Sequence, residues 1–512
     1  MSQAQVAHSP APQTVEMKDL VALCKRRGFI FPASDIYGGI NGFWDYGPLG
    51  TELKNNIRDS WWRSMVLCPP IGHDGEPVQI VGLDSSIIQN PKAWEASGHV
   101  GGFNDPMVDC KESKKRYRAD HVLVLVPKDG AGPSVAFDQD AESAEIDAKM
   151  KKVARGRPQS DYEREQLDKL PFEHFATIIG PDVKTQGTLT EPRQFNMMFH
   201  TYVGATASED NKSYLRPETC AGIFLNFKNI VDSSRVKMPF GVAQIGKAFR
   251  NEVTPRNFIF RSREFEQMEM EWFCHEEDVS KWFDFWVEQR KAWWASVGMD
   301  LSKLHYLDVG DADRAHYSQR TIDIEYKFPF CAPDAYDELE GIAHRGNYDL
   351  SKHQEYSGQK LEYVDPARDN EKYLPHVIEP STGLTRAVLA LLSEAYTVDE
   401  SRPSGAYMNF KPSIAPKKAA ILPLVAKEGM PEIATKLYME LREHHAVDLD
   451  IKQNIGKRYA RQDEIGTPFC MTIDGDTAGD NAVTVRERNT MTQERVSLDN
   501  VLDYLNKHIK GA

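Results

Sequence analysis

The sequence lacks any apolar run that approaches the roughly 20 residues needed to cross a membrane. Its seven cysteines are scattered and form no CxxC pair, which argues against a disulfide framework and against a structural zinc site, and favours reduced thiols. The opening stretch, MSQAQVAHSPAPQT, has neither the basic start nor the apolar segment of a signal peptide. We therefore expect a cytoplasmic protein without a membrane anchor, in which residues 1–15 form a disordered tail.

The chain also lacks an excess of basic residues. Lys and Arg number 62 against 76 Asp and Glu, which gives a net charge of −14. This balance alone points away from a nucleic-acid partner, because phosphate binding rests largely on lysine and arginine, although it does not exclude a local basic surface. The 512 residues, 41% of them hydrophobic, are typical of a soluble protein with about two to four domains.

The most informative stretch is 242–273, VAQIGKAFRNEVTPRNFIFRSREFEQMEMEWF. Both halves alternate as strands do, and the TPRN turn predicts an antiparallel pair joined by a mobile loop. Because every second side chain of a strand shares a face, the charged residues are predicted on one face and the apolar ones on the other. The two sets are Arg250, Glu252, Arg261, Arg263 and Glu269 against Met268, Met270 and Trp272. An alternative interpretation is a solvated face that carries only surface ion pairs.

The order FRNE, a loop, and then RSREFEQME resembles the second signature motif of the class II aminoacyl-tRNA synthetases, in the wording of the glycyl-tRNA synthetase family. The resemblance runs from about Met17 to the C-terminus. It implies an α+β fold, in which an antiparallel class II sheet is flanked by helices and followed by a C-terminal α/β anticodon-binding domain. The implied domains are a catalytic domain at 16–412, with a surface insertion at about 111–190, and an anticodon-binding domain at 413–512.

Two helices are predicted near the start of the catalytic domain, one over 16–27 and one from Thr51 to the prolines at 69 and 70. The second helix carries an apolar stripe at Leu53, Ile57, Trp61 and Met65. It resembles the first class II motif, which forms the dimer interface in that family. The alternative is that the stripe packs on the core of its own domain.

The insertion begins near a compact basic cluster, KKRYRADH. Such a run is usually a solvated face or a nucleic-acid patch. The resemblance implies that an arginine here reaches the amino-acid pocket, with Arg118 the best match and Arg116 a competitor. The charged segment at about 138–170 is helix-prone and is predicted to lie on the surface.

Three further segments carry the resemblance. RPET contains Glu218, whose alternative role is that of a carboxylate at a helix N-terminus. DELEG contains Glu338 and Glu340, for either of which a structural ion pair is the alternative to a contact with ATP and its metal. EPSTGLTRAVLALL resembles the third class II motif and predicts a helix after Gly383, with Arg386 in its first turn. The free N–H groups of a helix start suit a triphosphate.

The resemblance implies a ligase that activates glycine with ATP and Mg²⁺ and transfers it to the 3′ end of tRNA(Gly), acting as a homodimer without zinc. Arg250 and Arg386 are the implied catalytic residues. The implied glycine-binding residues are Arg118, Glu218, Phe265, Glu266, Gln267, Met268, Glu269, Glu379, Ser381 and Gly383. The implied ATP-binding residues are Arg250, Asn251, Glu252, Phe260, Arg261, Arg263, Phe265, Glu338, Leu339, Gly383 and Arg386, and Glu338 is the implied Mg²⁺ ligand.

Two other hypotheses remain at this point. The first is a synthetase-like binding or regulatory protein that has lost catalysis, although Arg250, Glu252 and Arg386 are all present in order. The second is a class II enzyme for threonine, proline or histidine. The strings RPET, EFEQME and EPSTG together argue against it, because they resemble the glycyl family. A pyrophosphate-exchange assay with each amino acid separates the three hypotheses.

Overall fold

The structure is a computed structural model, and it describes residues 15–510 apart from positions 140, 142, 155, 312, 313 and 316. The predicted tail at 1–15 therefore lies, except for Val15, outside the described residues. The chain divides into two compact units. The first consists of Met1–Gln89, Leu215–Phe249 and Pro255–Ala512, and the second of Asn90–Tyr214 and Arg250–Thr254. Within the described part of the chain, no helix combines the length and the apolar character that a membrane crossing demands.

A seven-stranded sheet forms the centre of the first unit. All neighbouring strands run antiparallel except the last two, which are parallel. In spatial order the strands are Leu304–Asp308, Arg320–Tyr326, Asp337–Gly346, His376–Gly383, Glu264–Cys274, Phe240–Phe249 and Ile80–Gly82. This arrangement confirms the α+β class and the antiparallel sheet implied by the resemblance.

The predicted hairpin is present, in a register that pairs Phe240 with Phe273 and Phe249 with Glu264. The strands are shorter than predicted, because the first ends at Phe249 and the second begins at Glu264. The placement of Arg250 and Glu252 on the first strand, and of Arg261 and Arg263 on the second, is therefore wrong. All four side chains belong to the connecting loop, where no strand alternation fixes the direction of a side chain.

The apolar stripe at Leu53, Ile57, Trp61 and Met65 packs inside the chain's own core. These side chains are between 0 and 2% exposed and share one hydrophobic cluster with the helix Leu384–Ala395. The expectation that this stripe forms a dimer interface is wrong, because its apolar surface is already covered. The helix itself runs from Pro48 to Trp62 and continues as a wider turn over Arg63–Leu67.

The other elements of the N-terminal part of the first unit surround the sheet. Its helices are Met17–Arg27, Pro48–Trp62, Cys220–Leu225, Phe227–Ser234, Val279–Ser296, Tyr348–Ser357 and Leu384–Ala395. Three small antiparallel pairs join Ile30–Pro32 to Trp44–Tyr46, Tyr363–Asp365 to Glu371–Tyr373, and Tyr396–Val398 to Ala406–Met408. A short strand, Ile88–Gln89, precedes the second unit.

The C-terminal part of the first unit has the predicted α/β character. Its five-stranded sheet has the order Val447–Leu449, Ala419–Pro423, Phe469–Ile473, Ala482–Glu487 and Gln493–Ser497, with the first three strands parallel and the last two antiparallel. The helices are Met430–Leu441, Ile455–Ile465, Thr477–Asp480 and Val501–Lys510. This region buries a hydrophobic cluster of its own, which includes Leu437, Met471 and Leu505.

The second unit is built from small sheets. A four-stranded sheet has the order Ile178–Ile179, Ser134–Asp138, Val122–Pro127 and Tyr162–Gln166, and a three-stranded sheet has the order Arg193–Asn196, Asn104–Asp109 and Arg116–Arg118. A further pair joins His200–Tyr202 to Lys212–Leu215. The helices are Pro91–Ala96, His99–Gly102 and Ser143–Val153. The expectation of a helical segment at 138–170 holds only for Ser143–Val153, because the chain past Pro158 pairs as the strand Tyr162–Gln166.

Glu340 forms a structural ion pair beneath the central sheet. Its carboxylate accepts hydrogen bonds from Arg290 Nε at 2.5 Å and from Trp294 Nε1 at 2.6 Å, and both charged side chains are 1% exposed. The structural alternative therefore applies to Glu340. Removing the charge of one partner leaves the other buried and uncompensated, which is costly.

We expect Glu340→Gln to lower the free energy of unfolding by about 3 kcal/mol or more, because Arg290 would lose its buried counter-charge. Urea denaturation followed by tryptophan fluorescence measures this change. Glu288→Gln is the control, since Glu288 lies on the same helix as Arg290 but is 68% exposed, and its change should stay within about 0.5 kcal/mol. Equal effects of the two substitutions would contradict the structural role of Glu340.

Candidate active site

Glu269, on the polar face of the central sheet, accepts four hydrogen bonds. The register places Gln267 opposite Gly383 and Glu269 opposite Ser381 on the adjacent strand. Glu269 accepts hydrogen bonds from Gln267 Nε2 at 2.7 Å and from Ser381 Oγ at 2.8 Å. It also accepts from Thr219 N at 3.1 Å and from the Thr219 hydroxyl. These donors fix the orientation of a carboxylate that is 2% exposed.

The segment that carries Glu218 is fastened to the hairpin by Arg216. The guanidinium of Arg216 donates from Nε to Lys247 O at 2.7 Å and from Nη1 to Ser85 O at 2.9 Å. It passes so close to Gly246 that a Cβ there would lie 2.1 Å from Nη2, so a larger residue at this position would displace the guanidinium. Glu218 follows two residues after Arg216 and raises the pKa of both Glu269 and Glu379 by its charge. It therefore lies in the same electrostatic environment as those two carboxylates.

Glu379 is held by a buried arginine that the sequence did not point out. Arg345 Nη1 donates to Glu379 Oε2 at 2.7 Å, while Nε and Nη2 both donate to Asp349 at 2.8 Å. The guanidinium also lies 3.9 Å from the centre of the Tyr317 ring. Asp349 follows Arg345 by four residues in HRGNYD, a spacing that suits an ion pair and was the available signal.

Carboxylates outnumber guanidinium groups in this pocket, and their pKa values rise accordingly. Burial raises the pKa of Glu379 to about 8, helped by the charges of Glu269 and Glu218 and opposed by Arg345. Burial also raises the pKa of Glu269, and Glu218 adds to the effect, whereas the hydrogen bonds from Thr219 and Ser381 and the charge of Arg345 act against it. Such a group of buried acids favours any ligand that brings a positive charge.

Three of the predicted site residues turn their side chains away from this pocket. Met268 and Leu339 are 0 and 1% exposed and belong to the hydrophobic core on the other face of the sheet. Glu266 also lies on that face, where its carboxylate pairs with Lys54 at 2.6 Å. Strand alternation sends Glu266 and Met268 to the opposite face from Gln267 and Glu269, and Leu339 reaches that face at the register shift of its strand. The glycine-binding and ATP-binding roles implied for these three residues stay predictions.

A second cluster lies at the start of the helix Leu384–Ala395. Gly383 is the residue before this helix, as predicted, and Arg386 lies in its first turn. Arg386 Nη1 donates to Glu338 O at 3.1 Å and pairs with Glu338 Oε2 at 3.2 Å. Its guanidinium lies 4.5 Å from the centre of the Phe260 ring. The cluster thus combines a helix start, a cation, an aromatic face and a carboxylate, which are the groups that contact nucleotides in proteins.

Further carboxylates surround Glu338. Glu325 lies directly opposite it on the neighbouring strand. Burial raises the pKa of Asp323 to about 7, with additional increases from Glu338 and Glu325 and a decrease from Arg386. An acidic group of this kind fits a hard divalent cation such as Mg²⁺, which takes oxygen ligands and relieves carboxylate repulsion. Asp323 and Glu325 were missed from the sequence, because they lie in an alternating strand without a motif.

Comparisons with known proteins identify the family. A profile described as the tRNA synthetase class II core domain (G, H, P, S and T) matches residues 202–395, and one described as an anticodon binding domain matches residues 418–508. The chain is similar to a glycine–tRNA ligase of Rhodopirellula baltica, with 46% identity over 97% of this chain and 100% of the relative. The chain belongs to the glycine–tRNA ligase family. Glycine–tRNA ligases of Treponema denticola and Bacillus anthracis show 43% and 46% identity over 97% and 96% of this chain, and over 98% and 99% of their own lengths.

Membership of the glycine–tRNA ligase family decides between the earlier hypotheses. Relatives that cover nearly the whole chain carry the glycine name, so an enzyme for threonine, proline or histidine is no longer supported. Class II synthetases use ATP as a substrate, which agrees with the combination of groups around Arg386.

Arg261 and Arg263 lie in a loop that hydrogen bonds hold to the rest of the first unit. Arg256 and Arg261 exchange backbone hydrogen bonds of 3.3 and 3.2 Å across the loop. Arg263 donates from its backbone N to Gly42 O at 2.7 Å and from Nη1 to Asn41 O at 2.8 Å. Phe265 is half-buried at the beginning of the second hairpin strand. The ATP-binding roles of these residues stay predictions.

In the second unit, the structure distinguishes Arg118 from Arg116. Arg118 pairs with Asp120 at 2.6 Å and with Asp105 at 3.2 Å, and the charge of Glu252 also acts on it. Arg116 instead pairs with Asp109 and has a side chain that is 53% exposed. Arg118 is thus the arginine that shares an environment with Glu252, and its role in glycine binding stays a prediction.

The remaining predicted residues of the second unit follow the first hairpin strand. The guanidinium of Arg250 lies 5.5 Å from the centre of the Phe103 ring. The backbone N of Asn251 donates to Met197 O at 2.7 Å, and Glu252 N donates to Arg250 O at 2.7 Å. The roles in ATP binding and catalysis that the resemblance gives to Arg250, Asn251 and Glu252 stay predictions.

Proposed function

We propose that this member of the glycine–tRNA ligase family joins glycine to tRNA(Gly) in two steps, and that the carboxylate pocket holds the glycine. In the first step the glycine carboxylate attacks the α-phosphorus of ATP and pyrophosphate leaves. In the second step a terminal hydroxyl of the tRNA attacks the adenylate and AMP leaves. The observation that supports this assignment is the convergence of Glu218, Glu269 and Glu379, with Ser381 beside them, on one buried region of the sheet.

The pocket suits glycine because glycine offers only an ammonium and a carboxylate to recognise. The ammonium has three N–H donors, and buried carboxylate and hydroxyl oxygens are the acceptors that bind it best. Glu269 and Ser381 already form one hydrogen-bonded set, so their oxygens are held in place before the ligand arrives. Larger amino acids would be rejected by steric clash at the Cα position, which is easier than the rejection of a smaller competitor.

The cluster around Arg386 is proposed to bind the triphosphate and the adenine ring of ATP. A planar guanidinium matches phosphate oxygens through two parallel hydrogen bonds, a contact that lysine cannot reproduce. Phe260 lies against the same guanidinium and offers an aromatic face. We propose that Arg261 and Arg263, on the loop between the hairpin strands, contact further phosphate oxygens. The displacement then depends mainly on positioning and charge neutralisation.

Mg²⁺ is proposed to bind at Glu338, with Asp323 or Glu325 as a second carboxylate. Mg²⁺ in nucleotide sites usually takes one or two protein carboxylates and completes its shell with phosphates and water. When bound, the ion would neutralise phosphate charge. The chain's own contribution is to hold Glu338 next to Arg386, so that a cation and a carboxylate meet the phosphates together.

The C-terminal region, 413–512, is proposed to bind the anticodon of the tRNA, and 16–412 is proposed as the catalytic domain. The profile match to an anticodon binding domain over residues 418–508 supports this division. We propose a cytoplasmic location and a homodimer. Because the apolar stripe of the helix Pro48–Trp62 is buried, the dimer must use another surface. A loop with exposed Ile36, Tyr37 and Ile40 at 89, 87 and 56% exposure provides one.

We expect Glu269→Gln and Glu218→Gln each to lower kcat/KM for glycine-dependent ATP–pyrophosphate exchange by about 10- to 100-fold, because each removes one charge-assisted contact to the ammonium. The exposed Glu288→Gln serves as the control and should exchange like the wild type. Exchange with each other amino acid, measured in parallel, tests the specificity. Full glycine-dependent exchange in both pocket variants would show that the pocket is assigned wrongly.

The raised pKa of Glu379 predicts how glycine binding depends on pH. With a pKa of about 8 in the empty pocket, Glu379 is protonated at lower pH and ionised at higher pH. Because an ammonium binds the ionised form, the KM for glycine should fall by up to about tenfold per pH unit between about pH 6 and pH 8 and then level off. Exchange assays at saturating ATP and Mg²⁺ keep the titration of Asp323 from affecting the result. A KM for glycine that is constant across this range would contradict the assignment.

We expect sedimentation equilibrium to give twice the 58.0 kDa mass of one chain. Ile36→Asp combined with Tyr37→Asp should shift the equilibrium toward the monomer, because burying two carboxylates in an apolar interface is costly. Leu67→Asp, also at an exposed apolar position (67% exposed), is the comparison and should leave the mass unchanged. A wild-type mass of one chain would disprove the dimer.

A further inference from the structure

Glu271 is a buried acid that neither the motif resemblance nor the proposed mechanism uses. It lies on the strand Glu264–Cys274, two residues beyond Glu269 and on the same face. Its side chain is fully buried, and neither carboxylate oxygen has a hydrogen-bond partner among the residues that the structure describes. An ionised carboxylate without donors is very unfavourable in such a place. The side chain therefore requires an explanation.

The surroundings of Glu271 contain acids on several elements. The ligand atoms of Glu271, Glu379 and Cys220 all lie within 4.8 Å of one another. Glu269 acts on Glu271 from its own strand, Glu379 from the strand His376–Gly383, and Asp349 from the helix Tyr348–Ser357. Across the hairpin its partner is the apolar Val242.

Arg345 acts on Glu271 by its charge but directs its hydrogen bonds elsewhere. It lowers the pKa of Glu271, whereas its side-chain nitrogens donate to Asp349 and Glu379. Burial is the largest influence and raises the pKa of Glu271 well above its usual range, and the charge of Glu379 raises it further. Full burial without hydrogen-bond donors favours the neutral form of Glu271, and a neutral carboxyl group carries one O–H donor.

We propose that Glu271 is a positioning residue for glycine: it keeps its proton and closes the separation of at most 4.8 Å to Glu379 by donating a hydrogen bond, so that Glu379 is held for the substrate ammonium. Glu379 then has two supports, Arg345 on one oxygen and Glu271 as a neutral donor. A neutral donor orients the carboxylate without cancelling the negative charge that attracts the ammonium. This inference rests on the proposed glycine pocket and adds a residue to it.

The same three side chains could instead hold a metal ion, since a thiolate and two carboxylates are possible ligands. Burial raises the pKa of the Cys220 thiol well above its usual range, which disfavours the thiolate that such a site would use. A proton satisfies Glu271 without a thiolate, which is why we favour the protonated carboxyl. The two interpretations differ in their metal content and can be separated directly.

The test compares Glu271→Gln, which keeps an N–H donor, with Glu271→Leu, which has a similar size and no donor. We expect Glu271→Gln to keep the KM for glycine within about threefold of the wild type, and Glu271→Leu to raise it by about tenfold or more with the KM for ATP unchanged. In Glu271→Leu the midpoint of the pH dependence of the glycine KM should also move to higher pH, because Glu379 loses a donor to its ionised form.

Glu340→Gln is the matched control, because Glu340 is an equally buried glutamate of the same sheet with a structural ion pair. It should lower the stability and leave the pH midpoint unchanged. The proposal would be overturned if Glu271→Leu left the KM for glycine unchanged. It would also be overturned if Glu271→Gln raised this KM as much as Glu271→Leu does. If Glu269→Gln keeps full exchange, the assignment of the glycine pocket is wrong. If Glu269→Gln loses exchange but Glu271→Leu behaves like the wild type, only the role of Glu271 is refuted.

Two measurements keep the proposal testable if Glu271→Leu does not fold. Infrared difference spectra between the wild type and Glu271→Gln should show a protonated carboxyl band that persists from about pH 6 to about pH 8. The absence of this band would overturn the proposal. So would elemental analysis that finds a transition-metal ion in the wild type and none in Glu271→Gln.

Discussion

The buried ion pair between Arg345 and Glu379 is the interaction on which the proposed amino-acid pocket depends. Arg345 also binds Asp349 through two nitrogens, so the guanidinium is fixed by two elements of the fold before it meets Glu379. Around it lie more carboxylates than it can neutralise, namely Glu218, Glu269 and Glu271. A buried region with this imbalance favours the uptake of protons or the binding of a cation, because an excess of negative charge is costly in a low-dielectric interior. The ammonium of an amino acid is a cation of the right size and donor number.

The antiparallel sheet makes this imbalance possible by separating two kinds of side chain. Along the strand Glu264–Cys274, Gln267, Glu269 and Glu271 face the pocket, while Met268, Met270 and Trp272 face the hydrophobic core. The core side contains the helix Leu384–Ala395 and the apolar stripe of the helix Pro48–Trp62, which hold the strand in one register. A slip by one residue would exchange the two faces, burying acids in the core and exposing tryptophan in the pocket. The packing of the core therefore determines the geometry of the site on the other face.

The sequence was sufficient to predict the elements that local pattern determines. The central hairpin, the helix after Gly383 and the C-terminal α/β region are present as predicted, because alternation, helical spacing and a helix start are local signals. Prediction from the sequence failed where tertiary contacts determine the end of a strand or the burial of a helix face. Arg250 and Arg263 lie in a loop, since the strands end at Phe249 and Glu264, and the stripe of the helix Pro48–Trp62 is buried in the chain's own core. Arg345 had one local signal, the four-residue spacing to Asp349. Its contact with Glu379, and the contacts of Glu271 with Cys220 and Glu379, join distant parts of the sequence, whose approach no local pattern reveals.

The raised pKa values also explain how the empty pocket remains stable. Glu269 and Glu379 carry hydrogen-bond donors or a counter-ion, so each tolerates ionisation when a ligand supplies positive charge. Without ligand, Glu379 holds a proton up to a pKa of about 8, which removes one charge from the group. Binding of the proposed ammonium would exchange this proton for three N–H donors, so that the net charge of the pocket would change little. An uncharged amine would leave the proton in place and gain no such exchange. The excess of buried carboxylates is costly in the empty pocket. The same excess would favour a positively charged ligand over a neutral one.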